Sequence, residues 1–369
     1  MPETIKLQEA LAAYDFAGEV ISCERFGEGH INDTFAAIVK HPDGSTQRWI
    51  VQRINTHVFK KPLEVMENII GVTDFLAEKI DAAGGDAARE TLYVLRTKEG
   101  KPIFADSEGG IWRCYRFIEG TICLQQVKDP ADFYNSALTF GNFQRQLEAY
   151  PAKTLHETIP DFHNTPDRYQ KFEAAVAEDS CKRAANVADE IAFVRARKAD
   201  CAVLSDLLAA NELPLRVTHN DTKLNNILID AATGKGLCVI DLDTVMPGLA
   251  AHDYGDSIRF GASTAKEDET DLSKVHFSLP LFETYTKGYL EAAGDALTEK
   301  EKETLRWGAK LMTLECGMRF LTDYLQGDVY FKTTHPEHNL ERCHTQFRLV
   351  EEMEDHWDEM QQIIRNYSK

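Results

Sequence analysis

Long apolar runs are missing from this chain, and no stretch approaches the roughly 20 consecutive apolar residues that a membrane-spanning helix needs. The start, Met1-Pro2-Glu3-Thr4-Ile5-Lys6, also lacks the basic and apolar regions of a signal peptide. A cytoplasmic protein with no membrane partner is the expectation. Paired cysteines are absent as well. The eight cysteines stand at positions 23, 114, 123, 181, 201, 238, 316 and 343 without a Cys-x-x-Cys unit, a pattern of reduced, mostly buried thiols rather than of a disulfide scaffold or a zinc site. Positive charge is in short supply, 41 Lys and Arg against 60 Asp and Glu for a formal net charge of −19. A surface of that sign argues against nucleic acid and anionic membranes as partners. Internal repeats and low-complexity linkers are missing too. What remains is a 369-residue chain, 43% hydrophobic, large enough that two lobes around a cleft fit better than one compact core. The sequence leaves the oligomeric state open.

The densest chemistry lies in His219-Asn220-Asp221-Thr222-Lys223-Leu224-Asn225-Asn226, followed by Ile240-Asp241-Leu242-Asp243. Phosphoryl transfer asks a protein for a carboxylate that orients the attacking hydroxyl, oxygen ligands for Mg²⁺, and positive charge near the moving phosphoryl group. Asp221 suits the base position and Lys223 can supply the point charge. Asn226, Asp241 and Asp243 offer amide and carboxylate oxygens to a hard cation. The spacing agrees with the kinase catalytic loop, in which His-x-Asp is followed after four residues by Asn and a metal-binding Asp lies on a later strand. The apolar-rich stretch Leu215 to Thr218 leads in, Ile227-Leu228-Ile229 follows the Asn, Ala232-Thr233-Gly234-Lys235 turns, and Leu237 to Ile240 leads to Asp241. That is a strand, a loop and a hairpin returning the second Asp beside the first.

Upstream, Glu19–Arg25 and Ile31–Val39 alternate as strands around Phe26-Gly27-Glu28-Gly29-His30. Gly27 and Gly29 make this the candidate phosphate-covering loop, because glycine lets backbone N–H groups approach phosphate oxygens closely. The third strand, Gln47–Ile54, lacks the Lys that a kinase places there. It offers Gln52 or Arg53 instead, and the sequence does not choose between them. Residues 62 to 81 carry Val65, Ile69, Val72, Leu76 and Ile80 at helical spacing behind Pro62. Glu64 or Glu67 on that helix is a candidate partner for the strand cation. Leu92–Leu95 and Ile111–Ile118 complete the sheet. From Pro130 onward the pattern turns helical, over residues 131 to 150, 167 to 178, 187 to 210 and most of the chain after 265. His335, His338, His344 and Cys343 raise a metal site, but their spacing is not one zinc usually shows.

These motifs resemble the aminoglycoside phosphotransferase and choline kinase superfamily, the small-molecule branch of the kinase fold. Its members carry His-Gly/Asn-Asp and Ile-Asp-x-Asp/Glu motifs, matched here at 219 to 221 and 240 to 243. Val-Ile-Asp-Leu-Asp-Thr-Val-Met-Pro-Gly at 239 to 248 and Gly-His-Ile-Asn-Asp-Thr-Phe at 29 to 35 further resemble the N-acetylhexosamine 1-kinases. The resemblance runs from about residue 20 to about residue 350. It implies a bilobal α+β protein-kinase-like fold. Residues 1–118 would form a small β-rich nucleotide-binding lobe and residues 119–369 a larger, mainly helical catalytic and acceptor-binding lobe. Phe117 and Ile118 would form the hinge that meets adenine. Asp253-Tyr254-Gly255-Asp256 resembles a recurrent turn in which Asp256 braces the catalytic loop. Arg319, Tyr330 and His30 would bind the sugar, and His163 falls in a family-like loop without an assigned role. ATP and Mg²⁺ are the implied cofactors, and the implied reaction is phosphorylation of the anomeric hydroxyl of GlcNAc or GalNAc. The alternatives are a kinase of another small alcohol, such as homoserine, choline, ethanolamine or an aminoglycoside, or a non-catalytic binding protein on a kinase scaffold. The missing strand Lys is the sole support for the last of these.

Overall fold

The computed structural model describes residues 2–27 and 31–368, with the side chains of residues 2–5 left aside. Gly29 and His30, expected in phosphate and sugar binding, lie outside the described residues. The chain divides into two compact units. One comprises residues 1–122, 153–159 and 228–246; the other comprises residues 123–152, 160–227 and 247–369.

The first unit is built on a five-stranded antiparallel sheet in the order β1-β2-β3-β5-β4. Its strands are β1 (Glu19–Arg25), β2 (Asp33–Lys40), β3 (Thr46–Ile54), β4 (Phe104–Ala105) and β5 (Ile111–Arg116). Side chains alternate between the faces of a strand, and the sequence uses that alternation fully. Phe35, Ala37, Val39, Trp49, Val51, Trp112 and Cys114 bury one face against Tyr14 and Phe16, which follow helix α1 (Pro2–Ala13). Tyr14 closes the layer by donating its hydroxyl to the Trp112 carbonyl at 2.8 Å. Helix α2 (Pro62–Ala82) buries Val65, Ile69, Val72, Leu76 and Ile80, the apolar stripe expected from the sequence, and Met66 beside it. Some details differ from expectation, among them the unforeseen strand β4. Helix α1 was not foreseen, and residues 92–95 contribute only the bridge Val94–Tyr115 rather than a strand. After α3 (Ala87–Glu90), the short strand β6 (Thr121–Ile122) begins a second sheet with β8 (Ile227–Asp230) and β9 (Gly236–Val239), in the order β6-β8-β9.

In the second unit, helices α4 (Pro130–Gln146), α5 (Thr165–Glu178), α6 (Ala188–Ala196) and α7 (Val203–Ala209) precede strand β7 (Arg216–Thr218). The single helix expected over 187–210 is two helices joined by a 3₁₀ turn at Asp200–Ala202. Strands β8 and β9, which lie in the first unit from Leu228 on, form the expected hairpin. Helices α8 (Ala250–Gly261), α9 (Leu279–Ala293), α10 (Glu299–Gln326), α11 (His338–Asp355) and α12 (Trp357–Tyr367) complete the chain. The 28-residue α10 is the central post of this unit. A capping box between Thr298 and Glu301 starts it, an arrangement that contributes about 1 kcal/mol. Gly327, with φ of 96°, ends it in the left-handed conformation that favours glycine. A Cβ on Gly308 would come within 2.0 Å of the Ala251 carbonyl, so glycine is what lets α8 lie so close to α10. No helix among the described residues is long and apolar enough to cross a membrane.

Candidate functional site

Within the second unit, β7 delivers the chain into a loop whose backbone is tied down residue by residue. Asp253 on α8 is buried and accepts the N–H groups of His219 (2.8 Å) and Asn220 (2.7 Å) and the Gln144 side-chain amide (3.0 Å). Burial pushes its carboxyl group up, and the N–H donors together with His219 work against that shift. Asp256, one helical turn later, accepts the Thr222 N–H at 2.9 Å. Its own charge is held by Arg259 at 3.0 Å. Burial would raise the Asp256 pKa, but Arg259 and Lys223 bring it below the usual carboxylate range. The segment expected as a turn, 253–256, is therefore the body of α8. Helical spacing is what aims both carboxylates at one loop.

Asn220 takes a positive φ of 64°, a conformation that Asn tolerates better than most residues. Asp221 follows, half-buried, with Lys223 Nζ 2.6 Å from one carboxylate oxygen. Asn226 donates its amide to the Asp221 carbonyl (2.8 Å) and to the other carboxylate oxygen (3.1 Å). Burial would lower the Lys223 pKa, but Asp221 and Asp256 raise it, so the ammonium is kept charged. Three of the expected residues, Asp221, Lys223 and Asn226, thus touch one another. With its nitrogen committed to Asp221, Asn226 presents its carbonyl oxygen as the atom for a hard cation.

The first unit carries Asp241 and Asp243. Asp241 is exposed in a left-handed turn, φ 60°, leading into the 3₁₀ segment Leu242–Thr244. Asp243 is buried and faces Arg113 of β5 in a two-pronged ion pair, Nη1 on Oδ1 and Nη2 on Oδ2 at 2.9 Å. Asn32 donates a further bond to Oδ2 at 2.7 Å. Arg113 in turn donates from Nε to Gln52 at 3.0 Å, and Gln52 donates to Thr34 at 2.9 Å. The register explains the chain: Thr34, Gln52 and Arg113 are cross-strand partners on β2, β3 and β5, one row on one face. Burial by itself would lower the Arg113 pKa, and Asp243 reverses the shift upward. Removing either partner alone would cost about 3–5 kcal/mol, the penalty for a stranded buried charge.

Gln52 and Arg53, the two candidates for the missing strand Lys, point to opposite faces. Gln52 lies in the Arg113 row. Arg53 lies beside Asp106, whose charge it helps stabilise, and lines a pocket of about 360 Å³ with Asn55, His57 and Gly110. On α2, Glu64 pairs with Lys61 at 3.0 Å and Glu67 with His156 at 2.8 Å. Neither pairs with a cation on β3. The ion pair of this layer runs from β5 instead. Arg113 was missed by the sequence reading, and its signal was an arginine inside the otherwise apolar run Ile111-Trp112-Arg113-Cys114-Tyr115.

The loop at Gly27 has the positive φ of 77° that suits glycine, and a Cβ there would meet nothing within 4 Å. Phe117 packs edge-on against Phe26 (5.5 Å) and under the Arg48 guanidinium (3.7 Å), while Ile118 is buried. On α10, Arg319 is ringed by Phe331 (5.4 Å), Tyr330 (5.8 Å) and Phe162 (5.9 Å). Tyr330 is 70% exposed, on a loop whose Val329, Tyr330 and Phe331 N–H groups all donate to buried Asp323 at 2.8–2.9 Å. Glu315, one turn before Arg319, is held by His163 at 3.0 Å and Thr165 at 2.8 Å. His163 also reaches the Asn220 carbonyl at 3.4 Å, so α10 and the loop before Asp221 share one side chain. His335, His338 and His344 each face a carboxylate, Glu341, Asp268 and Glu190. Among the described residues no cluster of His, Cys, Asp or Glu forms a ready-made metal cage. Mg²⁺ does not require one, since it is commonly held by one or two protein oxygens, water and substrate phosphate. Asn226 on the catalytic loop and, separately, Asp241 in the first unit each carry an oxygen of that kind.

The sheet-rich unit, the helical unit and the loop of Asp221, Lys223 and Asn226 together define the kinase-like class of phosphotransfer fold. Among solved structures, an aminoglycoside phosphotransferase from Alicyclobacillus acidocaldarius is 12% identical, with 97% of this chain and 96% of that chain covered and a TM-score of 0.60. A microcompartment-associated aminopropanol kinase is 14% identical, covering 97% and 98%, with a TM-score of 0.58. Choline kinase from Cryptosporidium parvum is 14% identical, covering 100% and 99%, with a TM-score of 0.56. The model of the phosphotransferase enzyme family matches residues 22–288. The chain belongs to that family, within the aminoglycoside phosphotransferase and choline kinase superfamily.

Proposed function

We propose that this protein is an ATP- and Mg²⁺-dependent kinase that phosphorylates the anomeric hydroxyl of an N-acetylhexosamine, GlcNAc or GalNAc, to give the sugar 1-phosphate. The observation that carries the phosphotransfer part is the Asp221 carboxylate, set between the Lys223 ammonium and the Asn226 amide on a loop braced by two buried carboxylates. In this reading Asp221 orients the sugar hydroxyl and accepts its proton. A hemiacetal hydroxyl is more acidic than an ordinary alcohol, so a carboxylate is an adequate base. Lys223 supplies positive charge beside the transferred group. Asn226 and Asp241 would hold Mg²⁺, which neutralises phosphate charge when bound. Gly27 and Gly29 would approach the phosphates, and the hinge at Phe117 and Ile118 the adenine. Residues 1–118 take the nucleotide role and residues 119–369 the catalytic and acceptor roles, with Asp241 and Asp243 on a segment that packs with the first unit.

The acceptor assignment draws on Arg319 with its aromatic surround and on Tyr330, an exposed ring on a stiff loop, of the kind that stacks on a sugar. Arg168 adds support. Burial lowers its pKa, and the neighbouring Arg319 lowers it further. A cationic acceptor such as choline or an aminoglycoside would bring a third positive charge beside this pair in a partly desolvated setting. The direct test is product analysis after incubation with Mg-ATP and a panel of free hexosamines, hexoses, choline, homoserine and kanamycin. A 1-phosphate of GlcNAc or GalNAc supports the reading. Phosphorylation of a different alcohol, or of none, overturns it.

A further inference from the structure

Thr222 stands between Asp221 and Lys223, and all of its polar groups are spent on helix α8. Its N–H donates to Asp256 at 2.9 Å, its hydroxyl donates to the Asp253 carbonyl at 2.5 Å, and its carbonyl accepts the Ser257 hydroxyl at 2.8 Å. Residues 253, 256 and 257 share one face of a helix, which is why a single residue can meet all three. Thr222 is buried as a result, whereas the Asp221 and Lys223 side chains remain 30% and 34% exposed. The chain at Lys223 is extended, and in an extended chain successive side chains point to opposite sides. An inward Thr222 therefore puts Asp221 and Lys223 together on the outer side, 2.6 Å apart.

Ser257 has one proton, and the Thr222 carbonyl can only accept, so that proton is committed. Ser257 accepts in turn from Tyr285 of α9, whose hydroxyl lies 2.7 Å away. Burial pushes the Tyr285 pKa well up, so the hydroxyl stays a donor. Resting on the reading of Asp221 above, we propose that Tyr285 and Ser257 form a hydroxyl relay that positions Asp221 and Lys223 through Thr222. Tyr285 is then a positioning residue for phosphoryl transfer although it is fully buried and touches no reactant. Its neighbours set it apart. Tyr254, Tyr285 and Tyr289 are equally buried in one cluster, with ring centroids 5.3–6.1 Å apart. The Tyr254 hydroxyl meets Thr286 at 2.6 Å, and Thr286 donates to the Phe282 carbonyl, a path that ends within α9. The Tyr289 hydroxyl has no hydrogen-bond partner among the described residues. Of the three, the Tyr285 hydroxyl is the one that leads to the loop of Asp221, and hydroxyls bonded in series polarise one another.

The test compares Tyr285→Phe, Ser257→Ala, the double change and Tyr254→Phe in the full chain. Tyr254→Phe is the control, since it removes an equally buried, hydrogen-bonded hydroxyl from the same cluster without touching the relay. Kinetics use Mg-ATP with GlcNAc or GalNAc or, failing both, the alcohol that the product panel identifies. Tyr285→Phe and Ser257→Ala should each lower kcat by roughly 10–100-fold, the scale on which a small misplacement of reacting groups acts, while the KM for ATP stays in place. The double change should lose no more than Ser257→Ala alone, because Tyr285 acts through Ser257. Hydrogen exchange of the peptide spanning residues 219–226, read by mass spectrometry, needs no turnover. It should quicken in Tyr285→Phe and Ser257→Ala and keep the wild-type rate in Tyr254→Phe. Full kcat in Tyr285→Phe, an equal loss in Tyr254→Phe, or additive losses in the double variant overturns the relay, as does unchanged exchange in both relay variants. A wild-type protein that transfers phosphate from Mg-ATP to no alcohol overturns the phosphotransferase reading instead, and the exchange rates then decide on their own whether the relay holds the loop.

Discussion

Asp253→Asn should damage both the stability and the turnover of this protein, and the geometry sets the size of each effect. The native carboxylate accepts three N–H groups, from His219, Asn220 and Gln144, at 2.7–3.0 Å. An asparagine retains one acceptor oxygen. Its amide nitrogen then faces a donor, so at least one charge-assisted bond, worth about 1.5–3 kcal/mol, is lost and a buried N–H is left unpaired at a further 1–3 kcal/mol. Part of this is returned because the buried charge, which raises the Asp253 pKa, is no longer there to desolvate. A net loss of about 2–4 kcal/mol is expected, read as the fall in unfolding free energy by guanidinium titration followed by circular dichroism. Turnover should fall further than the folded fraction does, because the two N–H groups released belong to the residues just before Asp221. Rescue is expected from Asp253→Glu only in part, since the longer chain reaches the same donors at a different angle. A loss below about 1 kcal/mol, with turnover intact, would show that these bonds do not set the loop and would refute the reasoning.

The catalytic loop was legible in the sequence because its information is local. Asp221, Lys223 and Asn226 fall within six residues of one another, and the turn that brings them together is encoded in the same stretch. Asp256 was singled out only through the family resemblance of Asp253-Tyr254-Gly255-Asp256, not through its local chemistry. Asp253, which holds two of the loop's N–H groups against Asp256's one, was visible only as part of a supposed turn. The Gly255 within it reads as a turn former, whereas its role is to let α8 approach α10 without a Cβ in the way. The choice between Gln52 and Arg53 was not legible. Both are polar residues on one strand, and which face meets Asp243 depends on register with β2 and β5 rather than on β3 itself. Arg113 was the hardest to foresee. It lies 130 residues from Asp243, and a buried arginine declares its partner only when the fold does.

Asp221→Asn should abolish turnover while leaving nucleotide binding nearly unchanged, because the amide keeps the shape but cannot take a proton; near-wild-type turnover would remove Asp221 from the base role. Gln52→Ala should disturb Arg113 and raise the ATP KM more than Arg53→Ala does, since Arg53 lies on the opposite face beside Asp106; the reverse order, measured by steady-state kinetics, would return the nucleotide contact to Arg53. Acid stability offers an independent check through Asp230, whose carboxyl is depressed from 3.8 to about 2, chiefly by the Arg89 hydrogen bond. A depressed carboxylate contributes stability that is fully present above its unfolded value and is lost as pH falls through the folded one, so Arg89→Met should remove the part of the acid unfolding limb between about pH 4 and pH 2 that this contact supplies. An unchanged limb would show that the contact is energetically silent. The acceptor pocket is tested by Arg319→Ala and Tyr330→Ala. Each removes a group that would bond or stack on the sugar, and each should lower kcat/KM for the sugar by about 1–3 kcal/mol while leaving the ATP KM in place. Tyr330 is mostly exposed and its loop is held through the backbone by Asp323, so its truncation should not shift the melting temperature. A loss shared equally between sugar and nucleotide, or one explained by a lower melting temperature, would mark these residues as part of the scaffold and move the acceptor elsewhere.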